Sequence, residues 1–275
     1  MESTPQVSQA LLDDIAAIAV KAGEAIMAVY GREEIAVDRK GDDSPLTAAD
    51  LAAHKIISAA LAELTPDIPL LSEESEHIPW EVRRQWRRFW LVDPLDGTKE
   101  FINRNGEFTV NIALIQGGEP VLGAVHVPVT GVTYLGAREI GAWCERDGQR
   151  QPIRVRTISS PVVMVASRRH GAEQVEALEA EMRERFGPVT RTSMGSSLKL
   201  CLVAAGEADI YPRLAPTCEW DTGAAQAVVE AAGGVVVDTR LAPLAYQKEN
   251  LLNPHFLVLG GERERWDFLP ELLHA

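Results

Sequence analysis

With 275 residues, 46% of them hydrophobic, the chain can bury a sizeable core, either as one large domain or as two closely packed halves. Its formal net charge of -13 disfavours a nucleic-acid polymer as partner, because such binding depends on Lys and Arg neutralising phosphates. Three cysteines without CxxC spacing, Cys144, Cys201 and Cys218, argue against a disulfide scaffold and for a reducing, cytoplasmic setting, and no stretch approaches the length of a membrane span.

Residues 1–5 are polar and the next segment carries Asp13 and Asp14, so the start lacks the basic and apolar pattern of a signal peptide. Over 11–30 the apolar positions Ile15, Ile18, Ala22, Ile26 and Val29 predict a helix with one buried stripe. A strand is expected over 35–38. A second helix is expected over 47–64, with Thr47 as N-cap and Asp50 three residues on, a near relative of the capping box. A short apolar strand after Pro69 ends in Glu73 and Glu74. The segment Arg83-Arg84-Gln85-Trp86-Arg87-Arg88 is basic and aromatic. In an acidic chain it reads as a solvated helix face, the other reading being contact with an anionic membrane or nucleic acid. Phe89-Trp90-Leu91-Val92 predicts a buried strand, after which the chain enters a loop. Strand-like runs over 108–115, 121–127 and 132–135, separated by turn residues, predict an antiparallel meander. Beyond residue 155 strands over 162–166, 189–192, 208–211 and 235–238 alternate with helices over 172–186 and 196–205 and one after Asp221, which argues for a helix-covered sheet. A soft boundary divides an α+β half, 1–155, from an α/β half, 156–275.

Chemistry concentrates in three acidic clusters. Asp93-Pro94-Leu95-Asp96-Gly97-Thr98 places two carboxylates, a glycine and a hydroxyl directly after a buried strand. Hard divalent cations take oxygen ligands, and a pair of them needs one carboxylate that bridges and others that cap each ion. Glu73 ends a strand. Asp221, in Glu219-Trp220-Asp221-Thr222-Gly223, opens an alanine-rich segment, 224–232, that stops at Gly233-Gly234 and is small enough to pack closely on a neighbour. Each cluster also has a bland reading: a polar turn for Asp93 and Asp96, a solvated loop for Glu73, a helix-terminal acid for Asp221 and Asp50, a turn hydroxyl for Thr98. Lys199 and Arg213 read on their own as surface cations. His54, His77, His126 and His255 lack metal-ligand spacing, and neither GxSxG nor a P-loop is present.

Together, Trp90-Leu91-Val92-Asp93-Pro94-Leu95-Asp96-Gly97-Thr98 and Trp220-Asp221-Thr222-Gly223-Ala224-Ala225 resemble the two signatures of the inositol monophosphatase superfamily of Mg2+-dependent, lithium-sensitive phosphatases. Within it the chain is most similar to the CysQ type of 3'(2'),5'-bisphosphate nucleotidase. That similarity is carried by Asp43-Ser44-Pro45-Leu46-Thr47-Ala48-Ala49-Asp50, Leu71-Ser72-Glu73-Glu74, Asp96-Gly97-Thr98-Lys99-Glu100-Phe101-Ile102, the run 104–114 and Gly195-Ser196-Ser197-Leu198-Lys199.

The resemblance implies an α+β / α/β layered sandwich of alternating helices and sheets, as in the inositol monophosphatase and fructose-1,6-bisphosphatase folds, with two or three Mg2+ ions between the halves. It implies that Glu73, Asp93 and the Leu95 carbonyl hold one ion, that Asp93, Asp96 and Asp221 hold another, and that Asp50, Thr98 and Glu73 prepare the attacking water, with Asp50 either accepting from the Thr98 hydroxyl or positioning an additional ion. Gly97 and Thr98 can present N–H groups to a phosphate. By the same resemblance Ser196, Lys199 and Arg213, beside Asp221, surround a 5'-phosphate and ribose; His170 is a base contact or a solvated loop residue.

The expected reaction is conversion of adenosine 3',5'-bisphosphate to AMP and phosphate, with the sulfated nucleotide as a second substrate, in clearing a by-product of sulfate assimilation. Inositol 1-phosphate or fructose 1,6-bisphosphate hydrolysis, and a non-catalytic phosphometabolite sensor, are the alternatives. The partner is a small molecule. Oligomeric state and peripheral attachment to the inner membrane stay open.

Overall fold

Helix α1 (Gln9–Tyr30) starts where the Ser8 hydroxyl accepts from the Leu11 N–H at 3.2 Å, and it buries Ile15, Ala22, Ile26 and Val29 along the stripe that the spacing predicts. The computed structural model describes residues 6–32, 37–39, 45–166 and 172–274. The Asp43-Ser44 pair, His170 and part of the strand expected over 35–38 lie outside the described residues. Strands β1 (Val37–Arg39) and β2 (Pro45–Thr47) pair antiparallel and lead into α2 (Ala48–Leu64). There the capping box is complete: Thr47 Oγ1 accepts from Ala49 N at 3.2 Å and Asp50 Oδ2 accepts from Thr47 N at 2.8 Å.

The chain then builds a seven-stranded sheet in sequential order. Its strands are β3 (Leu70–Ser72), β4 (Arg88–Asp96), β5 (Thr109–Gln116), β6 (Glu119–Val127), β7 (Val132–Ala137), β8 (Gly141–Arg146) and β9 (Gln149–Pro152). β3 and β4 are parallel, joined through the short helix α3 (Trp80–Arg83); the other neighbours are antiparallel, and α4 (Thr98–Ile102) sits between β4 and β5. β8 and β9 extend the predicted meander. β9 is wholly exposed and, apart from Pro152, polar, so it gives no hydrophobic signal.

The remainder runs β10 (Val162–Ala166), α5 (Ala172–Phe186), β11 (Val189–Ser193), α6 (Leu198–Ala204), β12 (Ile210–Arg213), α7 (Gly223–Ala231), β13 (Val235–Asp238), β14 (Phe256–Leu259) and α8 (Leu269–His274). Its five-stranded sheet has the order β11-β10-β12-β14-β13, parallel among the first three and antiparallel around β14. β14 is the strand that alternation did not predict: four fully buried apolar residues show neither period.

Three apolar clusters define the layers. Helices α1 and α2 cover one face of the large sheet, α6 and α7 lie between the two sheets, and α5 and α8 close the outer face of the small one. This is the expected layered helix–sheet sandwich.

Two expectations are corrected. β4 does not stop at Val92 but continues to Asp96, with Asp93 opposite Asn111, Asp96 opposite Thr109 and an irregular register between them. Pro94 has no N–H for the ladder, so the strand bulges there and both acids stay on a rigid element. The basic segment is not one solvated face. Arg83 is 4% exposed, and its guanidinium donates to the carbonyls of Ile78 at 3.0 Å, Lys248 at 3.0 Å and Glu249 at 3.1 Å; Arg84, Gln85 and Arg87 are exposed. No helix among the described residues is long and apolar enough to cross a membrane.

Helix α7 meets the large sheet backbone to backbone. A Cβ at Gly123 would lie 2.1 Å from the Ala224 carbonyl oxygen, and one at Gly136 would lie 2.5 Å from Val228 Cα. Only glycine permits this seat, and the small residues of α7 complete it. We expect Gly123→Ala to lower the unfolding free energy by about 3 kcal/mol, read from the urea midpoint at unchanged slope; a loss within experimental error would contradict the seat.

Candidate active site

Three parts of the chain deliver four carboxylates to one end of the interlayer space. Glu73 follows β3 and is pinned beside β4 by its N–H, which donates to the Val92 carbonyl at 3.0 Å. Asp93 is 1% exposed, and its Oδ1 accepts from the Leu95 N–H at 3.0 Å. Asp96 Oδ2 accepts from the Ser197 N–H, at the head of α6, at 2.6 Å. Asp221 ends a single 3-10 turn, Glu219–Asp221, immediately before α7, and its Oδ2 accepts from the Cys218 N–H at 2.7 Å. The result is that carboxylate oxygens of Asp93, Asp96 and Asp221 all lie within 4.8 Å of one another. Glu73 stands outside that trio but hydrogen-bonds the Asp93 carboxyl and adds its charge to the field on Asp96 and Asp221.

Such crowding is visible in the proton affinities. Burial, reinforced by Glu73, Asp96 and Asp221, raises Asp93 well above the ordinary carboxylate value. Burial raises Asp221 to about 8, with Asp96 adding to it and the Cys218 N–H opposing. Asp96 rises less, to about 6, because Lys199 and the Ser197 N–H offset its burial. Acids held this way need a counter-charge, and a donor set made only of oxygen fits a hard divalent cation.

Asp50 serves two partners at once. Its Oδ2 takes the Thr47 N–H at 2.8 Å and the Thr47 hydroxyl at 2.6 Å, while its Oδ1 accepts from the Thr98 hydroxyl at 3.3 Å. The helix-terminal reading and the Thr98 pairing therefore both hold. Thr98 also lies 3.5 Å from the Leu95 carbonyl oxygen, and Gly97, at φ 95, makes the left-handed turn that starts α4.

Beside the acids opens a cleft of about 400 Å3, lined among others by Asp96, Gly97, Ser196, Lys199, Arg213 and Asp221. Lys199 is not a surface cation. It is 6% exposed, its Nζ donates to the Ser196 carbonyl at 2.6 Å and the Met194 carbonyl at 3.1 Å, and burial lowers it to about 8. Arg213 donates to the Pro216 carbonyl at 3.1 Å.

The expected helix start at Ser196 is displaced: α6 begins at Leu198, Ser196 adopts φ 45, and the Ser197 N–H is directed at Asp96 instead of an incoming anion. The Ser196 hydroxyl oxygen is buried at the cleft wall with no hydrogen-bond partner among the described residues.

One group was not singled out from sequence. Behind Asp96, the Ser197 hydroxyl donates to Asn111 Oδ1 at 2.8 Å and lies 2.8 Å from Thr109 Oγ1, which accepts from Asn111 Nδ2 at 3.3 Å. All three are buried and tie β5 to the head of α6. The available signal was Thr109 and Asn111, polar residues two apart in an otherwise apolar strand.

An all-oxygen acid cluster beside a cation-bearing cleft, set between two sheets, is an arrangement that suits a metal-dependent phosphatase. The chain belongs to the inositol monophosphatase family, whose sequence model matches residues 8–267. The 3'(2'),5'-bisphosphate nucleotidase CysQ of Escherichia coli strain K12 is 52% identical over 90% of this chain and 99% of that protein. Among solved structures, CysQ from Bacteroides thetaiotaomicron, a bacterial member of the inositol monophosphatase family, superposes with a TM-score of 0.82 at 42% identity, covering 92% of this chain and 98% of that one. Inositol monophosphatase from Anabaena sp. PCC 7120 gives 0.74 at 26% identity, covering 97% and 96%.

The raised carboxylates carry a linkage consequence. An acid that binds its proton more tightly in the folded state stabilises that state at low pH, and the contribution is lost as pH climbs from the ordinary 3.8 through about 6 for Asp96 and about 8 for Asp221. Lys199, lowered to about 8, acts in the opposite sense only at more alkaline pH. Metal-stripped protein should therefore lose thermal stability steadily between about pH 4 and 8. Added Mg2+ should raise Tm more at pH 8 than at pH 5, because the cation replaces protons. A Tm in chelator that rises across that window would contradict the cluster.

Proposed function

We propose that this protein is a Mg2+-dependent 3'(2'),5'-bisphosphate nucleotidase that hydrolyses adenosine 3',5'-bisphosphate to AMP and phosphate, and also takes the 3'-phosphate from the sulfated nucleotide. The observation that carries the reading is the meeting of Asp93, Asp96 and Asp221 within 4.8 Å beside a cleft holding a buried lysine and an arginine. The 52% identity to the Escherichia coli nucleotidase supports the choice of ester. A cytoplasmic location fits the three cysteines, none of which forms a disulfide.

Phosphomonoester hydrolysis is among the slowest uncatalysed reactions, so the site must neutralise phosphate oxygens, prepare a water and accommodate a departing alkoxide. When bound, a pair of Mg2+ ions supplies charge neutralisation and a more acidic water. Glu73, Asp93 and the Leu95 carbonyl would hold one ion, and Asp93, Asp96 and Asp221 the other, with Asp93, the most buried, shared between them. Four carboxylates carry about -4 against about +4, so the cage is close to neutral before a substrate enters.

Thr98 orients the attacking water through its hydroxyl oxygen. That hydroxyl donates to Asp50 Oδ1, so a proton leaving the water passes to Thr98 as Thr98 gives its own to Asp50. Backbone N–H groups of Gly97 and Thr98 face the transferred phosphoryl oxygens. The second phosphate lies too far from the cage to share the same ions, and Ser196, Lys199 and Arg213 meet it and the ribose. Lys199 gives two of its N–H bonds to backbone carbonyls, leaving the third for the cleft.

Asp93→Asn should lower kcat at least about a hundredfold with circular dichroism unchanged; normal turnover would reject the shared-ligand role. Side-by-side assays with Mg2+ should favour adenosine 3',5'-bisphosphate over inositol 1-phosphate, and a clear preference for the inositol ester would overturn the nucleotidase reading. Lys199→Ala should raise KM about tenfold for the bisphosphate and much less for a monophosphate. Equal changes on both would place Lys199 outside recognition of the second phosphate.

A further inference from the structure

We propose that residues 245–253 form a strap that positions Asp221, fastened by Lys248 to the buried Glu219 carboxylate. The proposal rests on the reading of Asp221 as a metal ligand. Glu219, two residues before Asp221, is 0% exposed, and no step of the hydrolysis uses it. Its carboxylate accepts from the Gln247 N–H at 3.0 Å, the Lys248 N–H at 2.9 Å and Lys248 Nζ at 2.7 Å. A buried carboxylate satisfied by one ammonium and two backbone donors holds its partners in a single arrangement, because losing any of them leaves a charge in a dry site.

The fastening continues along the whole turn. Glu219 N–H donates to the Leu251 carbonyl at 2.9 Å, Asn253 N–H donates to the Thr217 carbonyl at 2.8 Å, and Asn253 Nδ2 donates to the Cys218 carbonyl at 2.8 Å. Asn253 Nδ2 also lies 3.1 Å from Thr222 Oγ1. Residues on both sides of Asp221 are thus bonded to the strap, and the Cys218 N–H left over is the one that fixes Asp221 Oδ2, at 2.7 Å.

The far edge of the strap is held by Arg83. Its guanidinium donates to the Lys248 and Glu249 carbonyls at 3.0 and 3.1 Å, and Gln247 Nε2 returns a bond to the Arg83 carbonyl at 2.8 Å. Arg83 belongs to α3, on the connection between Glu73 and the β4 acids. The strap therefore spans the Asp221 turn and the β3–β4 crossover, and gives the buried arginine of the basic segment a purpose. Glu219, Lys248 and Arg83 are positioning residues. They set where one carboxylate of the cage stands without touching the substrate.

The test is Mn2+ binding to the metal-stripped full chain, followed by calorimetry and by the spectrum of unbound Mn2+, alongside thermal melts. Glu219→Gln and Lys248→Met should each weaken Mn2+ binding about tenfold, as loss of a ligand-orienting partner does. Lys248→Arg should keep most of the affinity. Lys248 is 29% exposed, so Lys248→Met should fold even where Glu219→Gln does not.

Leu178→Ala, in the fully buried outer core, should lower Tm with Mn2+ affinity unchanged, which separates positioning from bulk stability. If Asp221→Asn weakens Mn2+ binding and Lys248→Met does not, the strap proposal is overturned while the ligand reading stands. If Asp221→Asn leaves affinity intact, the ligand reading falls, and the proposal with it.

Discussion

Mutual repulsion among crowded, half-buried to buried carboxylates is the constraint around which this site is arranged. Asp93, Asp96 and Asp221 come within 4.8 Å of each other, with Glu73 bonded to the first of them. Left alone, such groups move apart or take up protons. Here the first escape is closed, because each acid is tied by one oxygen to a backbone N–H: Leu95 for Asp93, Ser197 for Asp96, Cys218 for Asp221; the second shows as the raised proton affinities of Asp93 and Asp221. Three independent tethers, on a strand bulge, a helix head and a 3-10 turn, keep the remaining oxygens pointed at a common centre. The fold concentrates negative charge in an arrangement that suits a divalent cation.

The layering explains how distant segments can do this. The β4 acids ride on the second strand from one edge of the large sheet, whereas Asp221 arrives on the turn that leads into α7, the helix packed between the sheets. The Thr109, Asn111 and Ser197 network joins β5 to the head of α6 just behind Asp96. Polar side chains buried at that depth are fully bonded to each other, so they fix relative position at little cost in unsatisfied groups.

Much of this was legible in the sequence, for identifiable reasons. The stripe of α1 and the Thr47–Asp50 capping box are local patterns, and local patterns survive folding. The Asp93–Asp96 segment stands out because oxygen donors cluster after an apolar run, and Trp220–Asp221 because its acid opens an alanine-rich segment with a glycine stop. What could not be read was anything decided by tertiary contact. β9 has no apolar signal and exists by pairing with β8 alone. β14 is too short and too uniformly buried to show a period, and Arg83 looks like any surface arginine until residues 248 and 249 supply carbonyls to it. Lys199 was misread in isolation for the same reason, since nothing local indicates that its ammonium folds back on the Ser196 carbonyl.

The seat of α7 on Gly123 and Gly136 has a consequence for divergence within the family. Contact there is between main-chain atoms, so the separation between the sheet and Asp221 is a property of the backbone and cannot drift through ordinary side-chain replacement. Residues around the rim of the cleft, by contrast, can be exchanged one at a time without disturbing that spacing. A lineage built this way keeps its ion geometry as an inherited ruler while its choice of phosphate ester remains free to change.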